Sequence, residues 1–304
     1  MNFFDLHCDT IYECATKGKQ LQKNDLHLDL ERGNKAFSRW VQTFAFWIPD
    51  ELPEEEQYAV YRQELACFRG FEEDLPALRP YDGSAVPGGC SYLLAVEGGG
   101  MLGDSLERLT ELKAEGISLL TLTWNGENRI GGGAKSAGRL TPFGEKVIRE
   151  AEQLGIVLDV SHLNRETFWD VCRFAKRPFI ATHSNADAVC PHPRNLTREQ
   201  IRELVGRDGL IGLNLFHAFL SPGECVMDDF LRQIEYFLEQ GAGCNLAIGT
   251  DFDGAVLPNW INGVEGIENL AQHVVKWFDE EICRRIFYEN AERFCRQYIF
   301  RREP

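Results

Sequence analysis

Short runs of apolar, β-branched and aromatic residues recur along the chain at 3–6, 44–47, 92–96, 119–123, 156–160, 179–182, 210–215 and 246–249. Between most of them lie longer amphipathic stretches, at 54–71, 106–114, 143–154, 165–175, 198–205 and 228–240, whose periodicity predicts helices. Repeated strand-then-helix units imply a parallel sheet buried on both faces. The expected fold is therefore α/β, a (β/α)8 TIM barrel, with a doubly wound open sheet as the architectural alternative.

Residues at the ends of these stretches agree with that reading. Gly116, Gly155 and Gly241 fall where a helix closes before the next strand and a left-handed residue is needed. Asn164 and Thr197 read as N-caps, and Thr141-Pro142 as an N-cap followed by the first helical position. Residues 279–302 read as a terminal helix. With no low-complexity linker, internal repeat or shift of composition, residues 1–304 are expected to form a single domain.

Composition narrows the classes of function. The formal charge of −15 repels phosphate backbones, and no basic stripe interleaved with aromatics is present, so nucleic acid is not an expected partner. No apolar run is long enough to span a bilayer, and no secretory pattern opens the chain, so a cytoplasmic, membrane-free protein is expected. The ten cysteines are dispersed, none in C-x-x-C spacing, and read as reduced core residues. The sequence is compatible with a homodimer.

The chemistry gathers at strand ends. In a barrel, functional groups sit where the strands finish, at the C-terminal face. The first strand runs into His7-Cys8-Asp9; later ones run into Glu97, Ser161-His162, His183 and Thr250-Asp251-Phe252-Asp253-Gly254. His7 and Asp9, two apart on an extended segment, project from one face. Taken singly, each has a plain structural reading as a strand end or turn. Together they bring three of the seven histidines, two aspartates and a glutamate to strands one, three, five, six and eight.

That set exceeds what one four-coordinate catalytic ion needs, because such an ion keeps a position open for water. Two ions sharing a carboxylate fit the count better. In that scheme His7 and Asp9 hold the first ion, His162 and His183 the second, and Glu97 bridges them. Asp251 is then free as general base and acid, taking a proton from water and returning it to the departing amine.

The segments D-L-H-C-D-T (5–10), V-E-G-G (96–99), D-V-S-H (159–162), A-T-H-S-N-A (181–186), P-R-N-L-T (193–197) and G-T-D-F-D-G (249–254) resemble the membrane (renal) dipeptidase family of metallopeptidases. The resemblance runs in order over nearly the whole chain. It implies a barrel of the amidohydrolase-like superfamily, two Zn2+ ions, and hydrolysis of dipeptides, L-D dipeptides included, by attack of a metal-held hydroxide. It also implies that Arg194 holds the terminal carboxylate of the substrate, in keeping with the bidentate geometry of a guanidinium.

Two departures from the family pattern bear on specificity. Trp124 stands where the family carries a histidine that contacts the substrate carbonyl, which leaves oxyanion stabilisation to the metal or to Asn125. Asn214-Leu215-Phe216-His217 occupies the ground of a family tyrosine. His192, beside Arg194, has no role the resemblance assigns and reads as a loop residue. Gly131-Gly132-Gly133 lacks the phosphate-loop lysine and reads as a flexible loop near the site. Two other readings stay open: an amidohydrolase acting on another small carboxylated amide, such as an N-acyl amino acid or a cyclic amide, and a metal-binding pseudoenzyme scaffold.

Overall fold

The computed structural model describes residues 1–300. Nine parallel strands form one sheet: β1 (Asn2–Cys8), β2 (Arg39–Trp47), β3 (Leu78–Pro80), β4 (Cys90–Glu97), β5 (Ile117–Thr121), β6 (Val157–Asp159), β7 (Ile180–Ala181), β8 (Leu210–Leu213) and β9 (Leu246–Ile248). Their order is β2-β1-β9-β8-β7-β6-β5-β4, and pairing of β2 with β4 closes the ring, so the eight-stranded barrel is the architecture and the open sheet is excluded. The ninth strand, β3, has no counterpart among the predicted ones. It pairs Leu78 to Pro80 with Cys90 to Tyr92, flanking the first half of β4, while β5 pairs with the second half.

A compact apolar cluster takes Phe4, Val41, Leu93, Leu119, Val157, Ile180, Leu210 and Ala247, one from each barrel strand, as a filled barrel interior requires. Tyr288, Ala291 and Phe294, from the end of the chain, join that cluster and plug it. The larger cluster holds the outward residues of the strands against the surrounding helices.

The predicted boundaries hold to within a few residues. Asn164 and Thr197 accept bonds from Thr167 and Gln200 backbone N–H groups, and Thr141 does the same for Gly144 ahead of a helix at Pro142–Leu154. Gly116, Gly155 and Gly241 all take positive φ. Helices at Thr10–Lys17, Leu30–Ala36 and Ile267–Trp277 are additional to the predicted set. The terminal segment differs from the single helix expected: Glu280–Arg284 passes through a π-helical turn, Arg285–Glu289, before Asn290–Tyr298, and residues 301 and 302 lie outside the described residues. All ten cysteines are free thiols. No helix among the described residues is long and apolar enough to cross a membrane.

One buried acid lies off the site. Glu64, on the helix Glu54–Asp74, is almost fully buried; Oε2 accepts a 3.3 Å bond from Trp47 N–H and Oε1 has no partner among the described residues. Burial first, then the negative Asp9 and Glu97, holds its carboxyl well above the usual range. The folded chain therefore keeps this proton above the pH at which the unfolded chain releases it, near 4.3, and stability is lost as pH rises from there towards the folded value. Glu64→Gln removes that loss. Its melting temperature should match the parent near pH 4.5 and exceed it at pH 8, by roughly 2 °C for each unit of pKa difference in a chain of this size. A constant gap across that range would mean that Glu64 is ionised in the fold.

Candidate metal centre and active-site cavity

The five predicted ligands converge at one end of the barrel. His7 Nε2 lies 3.6 Å from Asp9 Oδ2 and 3.5 Å from Glu97 Oε2. The other oxygen of Glu97, Oε1, lies 2.7 Å from His162 Nε2 and 3.4 Å from His183 Nε2. One carboxylate thus offers an oxygen to each side. His7, Glu97 and His183 form one group of ligand atoms mutually within 4.8 Å, and His7, Asp9 and Asp251 form another. Asp251 therefore stands within reach of the ligand cluster rather than apart from it.

Simple alternation along β1 is not what brings His7 and Asp9 together. Asp5 pairs with Gln42 but Cys8 with Phe44, so β1 holds one extra residue, and such a bulge re-aims side chains near a strand end. Asp9 lies beyond the strand, at the start of the helix Thr10–Lys17, with its N–H bonded to Phe252 O. Gly254 completes the approach. A Cβ there would fall 1.9 Å from Asp9 Oδ2 and 2.7 Å from Asp251 Oδ1, so only glycine leaves room for both carboxylates.

The imidazoles are oriented by their outer nitrogens. Thr182 Oγ1 donates to Asp159 Oδ2 at 2.6 Å, so it can only accept from His183 Nδ1, 2.8 Å away. His162 Nδ1 faces the carbonyl oxygen of Asn125 at 3.2 Å and must also carry its hydrogen. Both rings then turn unprotonated Nε2 atoms inward, 2.9 Å apart. Two unshared pairs at that separation repel, and so do a pair and a carboxylate oxygen at 2.7 Å. Both nitrogens of buried His7, and Asp9 Oδ1, lack any hydrogen-bond partner among the described residues. Buried polar atoms are normally satisfied, and a divalent cation is what this set of donors would satisfy.

The electrostatics point the same way. Burial alone lowers the His7 imidazole, but Glu97 and Asp9 outweigh it and carry the group well above its ordinary value. Burial, with Glu97 and Asp251 nearby, pushes Asp9 well up. Burial would raise Glu97 too, but His7 and His162 draw it well below the usual carboxylate range. Burial lowers His162 and His183, so both remain neutral, as metal ligation demands.

Two further buried carboxylates lock the strand ends that carry the ligands. Asp159 accepts from Thr121, Ser161 and Thr182, joining β5, β6 and the end of β7. Asp5 accepts from His7 N–H, Gln42 and both the N–H and the hydroxyl of Thr250, joining β1, β2 and the end of β9. Burial raises Asp5 to about 6 against the effect of those bonds. Sequence reasoning assigned neither residue a role. The available signal was a carboxylate inside an otherwise apolar strand, two or three residues before a histidine.

Above the cluster opens a cavity of about 470 Å³ lined by Arg194, Trp124, Asn125, Asp251 and the exposed edges of the ligand set. Arg194 is buried, its Nη1 has no hydrogen-bond partner among the described residues, and its guanidinium lies 5.4 Å from the Phe219 ring centre. Burial lowers it to about 10, so it stays a cation at neutral pH. Trp124 packs edge-on against Trp47, with ring centres 5.1 Å apart, and Trp47 meets Tyr12 in the same way, forming an aromatic wall. Asn125 spends its carbonyl oxygen on His162. Asn214, in the segment that departs from the family, donates at 2.8 Å to Asp251 Oδ2, and Phe216 lines the cavity. Gly131-Gly132-Gly133 does lie beside the site but is tied down rather than loose: Gly133 N–H bonds Gly126 O at 2.7 Å, and antiparallel bridges join Glu127 to Gly132 and Gly133 to Leu163.

Residues 1–302 match the family described as Membrane dipeptidase (Peptidase family M19). The chain belongs to that family. It is accordingly a metal-dependent hydrolase of the dipeptidase class. A structure described as the dipeptidase AC, a metallopeptidase of family M19, is 26% identical, covering 99% of each chain with a TM-score of 0.91. A metallopeptidase from Rhodobacter sphaeroides, bound to a phosphinate mimic of L-Ala-D-Ala, shares the fold at 24% identity and TM-score 0.90, over 98% of this chain and 99% of that one. A Klebsiella pneumoniae protein described as "Uncharacterized protein in pqqA 5'region" is 31% identical over 209 residues, which are 64% of this chain and 77% of that protein.

Proposed function

We propose that this M19 chain is a binuclear zinc dipeptidase that cleaves the peptide bond of dipeptides, those with a D-residue at the C-terminal position included. The observation that carries the reading is Glu97, which turns one oxygen towards His7 and the other towards His162 and His183. His7 and Asp9 would hold one ion and His162 and His183 the other. When bound, such ions polarise a carbonyl and lower the pKa of water.

The remaining roles fall to the chain itself. Asp251, steadied by Asn214, moves the proton from water to the departing amine. Arg194 reads the terminal carboxylate, which is why a buried guanidinium with a free N–H is kept in the wall. Asn125 holds the His162 ring in its ligating orientation, and its amide NH2 and the Trp124 indole N–H remain as donors towards the substrate.

Elemental analysis of protein purified without chelator should find close to two equivalents of zinc; less than one equivalent of transition metal argues against a binuclear centre. On zinc-loaded protein, L-L and L-D dipeptides should be cleaved ahead of N-acyl amino acids, and the reverse order would favour the wider amidohydrolase reading. Arg194→Ala should lower kcat/KM on free dipeptides roughly 100-fold, the scale of a charge-assisted bond pair. An equal loss on C-terminally amidated dipeptides would remove the carboxylate-binding role.

A further inference from the structure

The cavity lining holds more cationic and donor groups than one substrate carboxylate needs. Besides Arg194, its lining includes Lys135 and His192. The Lys135 ammonium makes no ion pair among the described residues and lies 6.0 Å from the centroid of the Trp124 ring. His192 accepts the Arg194 N–H on Nδ1 at 3.1 Å, so its hydrogen is on Nε2, a free donor, and its ring lies 4.5 Å from that of Phe219. All three groups line the same cavity, and burial, then Arg194 and Lys135, lowers the His192 pKa.

Of the acids in the same cavity, Asp9, Glu97 and Asp251 face the candidate metal centre. Asp187, which also faces His192, pairs with Arg165 at 3.1 Å. Across the cavity Glu13 pairs with Lys17, and Asp253 accepts from Thr10 and from His27 N–H. In a chain of net charge −15, two unpaired cations beside a donor in the substrate cavity call for a negative ligand.

We infer that the preferred substrates carry a second carboxylate on the C-terminal residue, an aspartyl or glutamyl side chain, which Lys135 and the His192 Nε2–H bind while Arg194 holds the α-carboxylate. The inference rests on the dipeptidase reading and names its substrate class. The two carboxylates of such a residue are separated by only two or three carbons, so donors lining one cavity can take one each. Lys135 is exposed and sits on the tied loop after Gly133, so exchanging it does not disturb the core.

The test compares Ala-Glu with Ala-Gln and Ala-Asp with Ala-Asn, in L-L and L-D forms, on parent and Lys135→Gln proteins. The parent should favour the acid over its isosteric amide by roughly tenfold in kcat/KM, the worth of one charge-assisted hydrogen bond, and Lys135→Gln should bring the ratio near one. A parent ratio near one, or a ratio that Lys135→Gln leaves standing, overturns the inference while cleavage of the amides keeps the dipeptidase reading. Thermal-shift titration with free Glu against Gln gives a readout independent of turnover. If no dipeptide is cleaved, the dipeptidase reading fails; tighter binding of Glu that Lys135→Gln abolishes still supports the dicarboxylate site, and equal binding of Glu and Gln overturns it.

Discussion

Asp251→Asn is expected to reduce turnover by roughly 100-fold or more while zinc content stays at the parent level. Asparagine preserves the shape of the group and cannot take a proton. It also preserves the backbone. Asp251 has a φ of +60°, a left-handed conformation that Asp and Asn tolerate and most other residues do not, so alanine here would mix strain with chemistry. The bond to Asn214 can be kept through the amide oxygen. Because Asp251 reaches the same group of ligand atoms as His7 and Asp9, metal content is the deciding measurement. Unchanged turnover removes Asp251 from proton transfer, whereas loss of zinc together with activity would make it a ligand.

Glu97→Gln is expected to lower bound zinc from about two equivalents to about one or less, and activity by at least ~100-fold with it. Among the described residues Glu97 is the one acid that approaches three imidazoles, and it lies buried at the end of β4. An amide puts a neutral oxygen on one side and an NH2 on the other, so one of the two ligand sets faces a donor instead of an acceptor. The Asp9 carboxyl is already raised by burial and negative neighbours, and losing the Glu97 charge relieves part of that repulsion, so the folded protein should survive the change. Two equivalents of zinc retained in Glu97→Gln would mean that this carboxylate bridges nothing.

Much of the fold was legible because a buried parallel strand has to be apolar and an enclosing helix amphipathic, and both patterns repeat along the chain. The short β3, Leu78–Pro80, escaped because three residues carry no period and two of them are exposed. The helix Thr10–Lys17 was masked by the polar strand end that precedes it, and the π-helical turn at Arg285–Glu289 has no pattern distinct from that of an α-helix. His7, Asp9, Glu97, His162, His183 and Asp251 stand out in the sequence as candidates because each falls within three residues of the end of an apolar run. His192 and Lys135 do not, since both sit in connecting loops whose path the local sequence does not dictate.

The sequence by itself determined the barrel class, the family motifs and which residue types stand at the strand ends, because those depend on periodicity and order along the chain. Only the tertiary structure decided how they meet. The bulge after Asp5, the absence of a Cβ at Gly254, and the Thr182 and Asn125 partners that turn two Nε2 atoms inward are relations between segments as many as 245 residues apart. The charge of the cavity wall is of the same kind. Lys135, His192 and Arg194 come to line one cavity only when the loops after β5 and β7 are folded over the barrel end, since unpaired charge is a property of neighbours in space.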